Sequence, residues 1–95
     1  TDLLKQKPDK NAMVLHRFMP SIPLTYGPFE GAIDIRLIIE ADGSVRDAEI
    51  VSSSGRPEID DLYAAAIRRW VYSPAVLHGK PVPQLVRQPF LISLK

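Results

Sequence analysis

The 95 residues bound this chain to one domain with a small core, at 45% hydrophobic and 24% charged content. A net charge of +1, from 12 basic and 11 acidic residues, is too balanced for a dedicated nucleic-acid binder. The absence of cysteine excludes disulfide frameworks, thiolate zinc sites and cysteine nucleophiles, and no apolar run approaches the ~20 residues of a membrane span.

Residues 1–18 read as an N-terminal arm or the end of a linker. Thr1 to Lys10 is polar and aperiodic, and Met13, Val14, Leu15 and Phe18 could form one short helical face or an irregular packed segment. A chain opening on threonine, with no signal-peptide pattern, reads as a fragment or processed form, and any anchor or linker upstream lies outside these residues. The domain proper is expected over residues 19–95. It starts with Pro20, Pro23 and Pro28, whose fixed φ and missing N–H groups make that stretch extended and loop-like.

Gly31 to Glu40 alternates, with Ile33, Ile35, Leu37 and Ile39 on one face of a half-buried strand and Ile38 as the exception. Asp42-Gly43 between two strand patterns signals a hairpin, and Val45 to Ser52 is the return strand, with Ala48 and Ile50 facing inward. Ile59, Leu62, Tyr63, Ala66, Ile67 and Trp70 then form one helical stripe. Glu58, Asp60 and Asp61 at its start and Arg68 and Arg69 at its end complement the helix dipole, with Pro57 in the first turn. Pro74 to Pro83 reads as a loop, and Leu85 to Lys95 as the last strand. The expected fold is α+β: a two-layer sandwich in which one main helix packs on a three-stranded antiparallel sheet, in the order β-β-α-β.

The run Ser52-Ser53-Ser54-Gly55 invites a catalytic reading. A serine nucleophile needs a base and an oxyanion site, and no G-x-S-x-G elbow or Walker loop is present. The bland reading, a turn whose hydroxyls satisfy free N–H groups, outweighs it about nine to one because no motif requirement is met. Asp60 and Asp61 lie about 100° apart on a helix and do not converge. Two isolated histidines, His16 and His78, do not make a metal site. Trp70, in phase with the apolar stripe, is a core anchor rather than a stacking platform, which leaves Arg68 and Arg69 as a solvated basic edge able to meet an acidic partner. No catalytic residue, cofactor or metal is therefore expected.

What remains is an exposed sheet edge, which an extended partner can extend by main-chain hydrogen bonding. Pro89 fixes its parity. A strand residue turns both backbone groups to the same neighbour, and the direction alternates. Pro89 lacks an N–H and best faces away from the sheet, so Leu91, Ser93 and Lys95 also face outward while Phe90, Ile92 and Leu94 pair inward. A bulge at Pro89 would reverse this parity.

The run from Glu30 to Val82, closed by Pro89-Phe90-Leu91-Ile92-Ser93-Leu94, resembles the C-terminal domain of the TonB family. The matching pieces, in order, are Glu30-Gly31, Asp42-Gly43-Ser44-Val45, Ser53-Ser54-Gly55, Ile59-Asp60, Ala66 with Arg68-Arg69-Trp70, Tyr72-Ser73-Pro74-Ala75 and Gly79-Lys80-Pro81-Val82. The resemblance implies a periplasmic domain of a Gram-negative protein anchored in the inner membrane and coupled to an ExbB–ExbD-type proton-driven motor. It implies that the domain grips the TonB box and plug of an outer-membrane transporter, admitting iron-siderophore, haem or cobalamin. The box would add beside the last strand, at Arg87, Gln88, Pro89, Phe90, Leu91, Ile92, Ser93, Leu94 and Lys95. The family places a Tyr-Pro before the first strand, in a segment that also touches the transporter; the resemblance implies such contacts here at Pro20, Ser21, Ile22 and Pro23, at a shorter spacing. Two further readings stand beside this one: a TonB- or TolA-like interaction domain reused in signalling or envelope linking, and a strand-exchanged homodimer through the same edge.

Overall fold

A long central strand organises the molecule. In the computed structural model, which describes residues 7–94, strand β2 spans Phe29–Ile39. Its inward residues Ile33, Ile35, Leu37 and Ile39 are fully buried, each contributing about 1.5–3 kcal/mol of apolar transfer. Strand β3 (Val45–Ser52) returns through the Asp42-Gly43 turn as expected. Gly43 there has φ +88 and donates to the Glu40 carbonyl at 2.9 Å, while Glu40 N–H donates to the Ser44 carbonyl at 2.8 Å. Strand β7 (Gln84–Leu94) pairs antiparallel with the other side of β2, giving one three-stranded sheet in the order β3-β2-β7.

Helix α1 (Pro57–Ile67) covers one face of the sheet. It ends sooner than the apolar stripe: Arg68 caps it, and Trp70 lies beyond it in a tight turn closed by Trp70 N–H on the Ile67 carbonyl at 3.0 Å. Trp70 is nevertheless buried, as its phase requires. Its ring meets Phe90 edge-on at 5.6 Å between centroids, and Tyr63 meets Phe90 at 5.0 Å. The opposite face of the sheet carries the ion pairs Arg36–Glu49, Arg46–Glu40 and Arg87–Asp34.

Two segments differ from the sequence reading. The short helix considered for Met13 to Phe18 is not formed. Met13–His16 is instead strand β1, antiparallel to β4 (Val71–Ser73), with a bulge between Val14 and His16. Its residues alternate with period two: Ala12 and Val14 rest on the core while Met13 and Leu15 face solvent. The Pro74–Pro83 loop is also structured. Ala75–Leu77 (β5) and Lys80–Val82 (β6) form a hairpin, closed by His78 (φ +54) and Gly79 (φ +76). Two successive positive φ values match the twist of a two-residue hairpin. The fold class stands: α+β, with one helix layered on a three-stranded antiparallel sheet, plus these small ribbons. The molecule is elongated, 49 × 21 × 16 Å.

Candidate docking edge

The β2–β7 ladder runs through eleven residue pairs, from Phe29 opposite Leu94 to Ile39 opposite Gln84, without a register shift. No bulge interrupts it at Pro89, which faces Asp34. A residue without an N–H cannot be part of a mutually hydrogen-bonded pair, so the Asp34–Pro89 pair is of the other kind. Alternation then makes Phe90–Ile33, Ile92–Gly31 and Leu94–Phe29 the bonded pairs. The backbone N–H and C=O groups of Leu91 and Ser93 point away from the sheet, along an edge that no other strand covers among the described residues.

Side chains along this edge alternate independently. Phe90, Ile92 and Leu94 turn toward the helix side and back the edge with core packing. Leu91, opposite Ala32, stands almost free at 92% exposure, and Ser93 is also exposed. Arg87 projects from the opposite face onto Asp34, and the hydrogen bond from the guanidinium raises the Arg87 pKa above its ordinary value. Gln88 is half-buried and donates from Nε2 to the Pro89 carbonyl at 2.9 Å. Lys95 lies outside the described residues.

The other expected contacts do not gather at this edge. Pro20 and Ser21 line a groove of about 310 Å³ with Phe18, Met19, Leu62 and Arg69, on the helix side. Ile22 packs against the core. Arg68 and Arg69 do not form one basic edge. Arg68 donates to the Ala48 carbonyl of β3 at 3.2 Å, while the Arg69 guanidinium lies 4.7 Å from the Phe18 ring centroid. The groove joins Arg69 to Pro20 and Ser21, a juxtaposition that no local pattern announces. The exposed row Met13, Leu15 and Met19 was also missed, although alternation over Ala12–Leu15 carried the signal.

The serine corner is a folding device. Asp60, buried on the first turn of α1, accepts from the Ser53 hydroxyl, from Ser54 N–H at 2.9 Å and from the Ser54 hydroxyl at 2.7 Å. Gly55 N–H donates to Ser53 Oγ at 3.0 Å and Arg56 N–H to Ser54 Oγ at 3.2 Å. Burial would push the Asp60 carboxyl up, but the three hydrogen bonds outweigh it and hold the pKa below the usual carboxylate value. Both hydroxyls are committed to the turn, and among the described residues no histidine is bonded to either.

The geometry is that of an α+β sandwich with one long, regular sheet edge that no other strand covers among the described residues. The family model for the Gram-negative bacterial TonB protein C-terminal domain matches residues 29–91, and the chain belongs to that family. Protein TonB of Vibrio cholerae serotype O1 is 29% identical over 89 residues, covering 92% of this chain and 36% of that protein. Protein tonB2 of Pseudomonas aeruginosa is 34% identical over 71 residues, covering 72% of this chain and 26% of that protein. The chain thus spans about a third or less of the length of these relatives. The solution structure of the P. aeruginosa TonB C-terminal domain shares the fold at a TM-score of 0.73 and 22% identity, covering 92% of this chain and 90% of that one.

Proposed function

We propose that this chain is the periplasmic C-terminal domain of a TonB-type energy transducer, a binding module rather than an enzyme. It takes up the TonB box of an outer-membrane transporter as an added strand along β7 and passes on proton-motive energy from an ExbB–ExbD-type motor in the inner membrane. The cargo class is iron-siderophore, haem or cobalamin. The observation that supports this most directly is the unbroken β7 register, which leaves Leu91 and Ser93 unpaired on the outer side. Each net backbone hydrogen bond contributes only ~0.5–1.5 kcal/mol, and ordering the peptide opposes it, so the complex is micromolar and transient. A second copy exchanging strands would compete for the same edge.

The test is an amide chemical-shift titration of the labelled domain with an extended TonB-box peptide. Shifts concentrated over Leu91–Leu94, with Ser53 and Ser54 quiet, are the expected result. The double variant Leu91→Pro/Ser93→Pro keeps the fold and loses the shifts. Unchanged binding by that folded variant, or shifts centred on β3, would overturn the reading.

A further inference from the structure

The N-terminal arm is fastened mainly to β4, to the β5–β6 hairpin and to Trp70, and among the described residues meets the three-stranded sheet by hydrogen bonds only at Gln84. Asp9 and Lys10 N–H both donate to the Val76 carbonyl, at 2.8 and 3.1 Å, and Val76 N–H donates back to Lys10 at 2.9 Å. His78 N–H reaches the Asp9 carboxylate at 2.8 Å. Gln84 holds both Ala12 N–H, at 2.7 Å, and Asn11, at 3.0 Å. The four-residue strand β1 follows, interrupted by its bulge, and then the Trp70 indole N–H donates to the Phe18 carbonyl at 2.9 Å. Arg17 covers the Trp70 ring at 5.5 Å from its centroid. The ties are polar and few, and Met13, Leu15, Phe18 and Met19 are all more than a third exposed. Release gives up the core contacts of Ala12 and Val14 and uncovers part of Trp70, a smaller apolar loss than opening the fully buried row of β2.

Topology places this arm in series with the sheet. Gln84 stands opposite Ile39 at one end of the β2–β7 ladder, and Leu94 opposite Phe29 at the other. Eleven strand residues rise about 34 Å between them, most of the molecule's 49 Å length. The arm is tied at the Gln84 end and runs back toward Phe29, while Leu91 and Ser93 lie at the Leu94 end. Tension between the N-terminal side of the chain and a partner on β7 thus acts along the long axis. It reaches the short, bulged, exposed arm before the eleven-pair ladder.

We propose that residues 9–20 are a releasable strap: under axial tension they detach as one unit while the β3-β2-β7 sheet and its core stay folded. Detachment stops before the half-buried Ile22, beyond which Arg56 also grips the Tyr26 carbonyl at 3.1 Å. It frees 12 residues with a contour of about 40 Å at ~3.4 Å each, and the gain in length is that contour less the distance the folded arm already spans. A transducer gains slack by this route without loosening its docked edge. That use rests on the proposed function; the release does not.

The test is single-molecule pulling of the whole chain from its two ends. The expected trace shows an early, reversible lengthening that is smaller than the ~40 Å contour of the freed residues by the span of the folded arm, then a separate unfolding event at higher force. In the variant Lys10→Cys/Val76→Cys the oxidised disulfide abolishes the early event and reduction restores it. The chain has no other cysteine, and the two residues form a mutually hydrogen-bonded antiparallel bridge, within disulfide reach. A single all-or-none event, or an early event that survives the disulfide, would overturn the strap. Hydrogen exchange on the unmodified chain gives a second readout. The Lys10 and Val76 amides and the Trp70 indole N–H share one protection level within about threefold, some 100-fold below that of Ile33. Protection that decays gradually toward the N-terminus indicates simple fraying and equally overturns it. None of these readouts involves a peptide, so failure of the strap and failure of TonB-box docking are told apart.

Discussion

The two edges of one sheet are built to opposite specifications. Edge strand β3 slips register twice against β2, between Asp34 and Ile35 and between Arg36 and Ile38, each time with an extra residue on β3. Asp47, inside the second bulge, has φ +53, and Arg46 and Glu49 beside it are engaged in ion pairs. Bulges, a left-handed residue and charge are how proteins close an edge to strangers. Edge strand β7 has none of the bulges, runs three residues longer and carries the exposed Leu91 near its end. An edge left regular beside one so disrupted keeps its backbone groups geometrically available for an added strand.

The largest effect tests the parity on which that contrast depends. Ile92 is buried and pairs inward with Gly31. Ile92→Pro loses a ladder bond and core packing, and is expected to cost at least ~3 kcal/mol. Ser93→Pro, one residue on, removes only an outward N–H and stays within ~1 kcal/mol of wild type. Urea denaturation of the two variants decides it: equal losses would mean that the outward groups are not those of Leu91 and Ser93.

The next two predictions concern how the ends of β3 are pinned. Gly43 has φ +88, and a Cβ there would run into the backbone carbonyl of Tyr72, whose own N–H donates to Gly43 at 2.9 Å. Gly43→Ala therefore combines left-handed strain with a backbone clash and is expected to cost about 2–4 kcal/mol in chemical denaturation. At the other end, Asp60→Ala strands the Ser54 N–H and two hydroxyls, a loss of about 1–3 kcal/mol at neutral pH. Because the folded pKa of Asp60 is lowered, its contribution is complete above the unfolded carboxylate pKa. It fades as pH falls through the folded value. The stability gap between wild type and Asp60→Ala thus narrows on acidification; a gap that widened would contradict the hydrogen-bond account.

How far these features could be read beforehand follows from the range of the interactions. The isoleucine alternation of β2, the Asp-Gly turn and the stripe of α1 as far as Ile67 are local, and each lies where the residues put it. Pro89 constrains the edge parity because one missing N–H acts on a whole regular ladder, and the ladder is unbroken at that residue. The β1–β4 pairing escaped because Met13 meets Ser73 across most of the chain, and three- to four-residue strands carry almost no period. The β5–β6 hairpin was hidden by Pro81, which reads as a breaker although it sits opposite Val76 in the ribbon. Arg68 and Arg69 looked like one charged pair, yet the helix ends at Ile67 and the following turn sends them to different partners. The closure of β3 was likewise invisible, since a bulge has no composition of its own.

That closure supplies the smallest and most discriminating test. At φ +53 an aspartate is tolerated, whereas a β-branched residue is strained by ~1–2 kcal/mol. Asp47→Val therefore costs about 1 kcal/mol if the bulge holds, the side chain being exposed. The substitution also offers the chain a way out. Valine favours extended backbone, and straightening β3 would relieve the strain by turning a closed edge into an open one. A monomer destabilised by that amount, with TonB-box shifts still confined to β7, means that the bulge is held by the pinned ends of the strand. Concentration-dependent self-association, or new shifts along Val45–Ser52, means that Asp47 itself keeps the second edge shut and that one residue separates a one-edged module from a two-edged one.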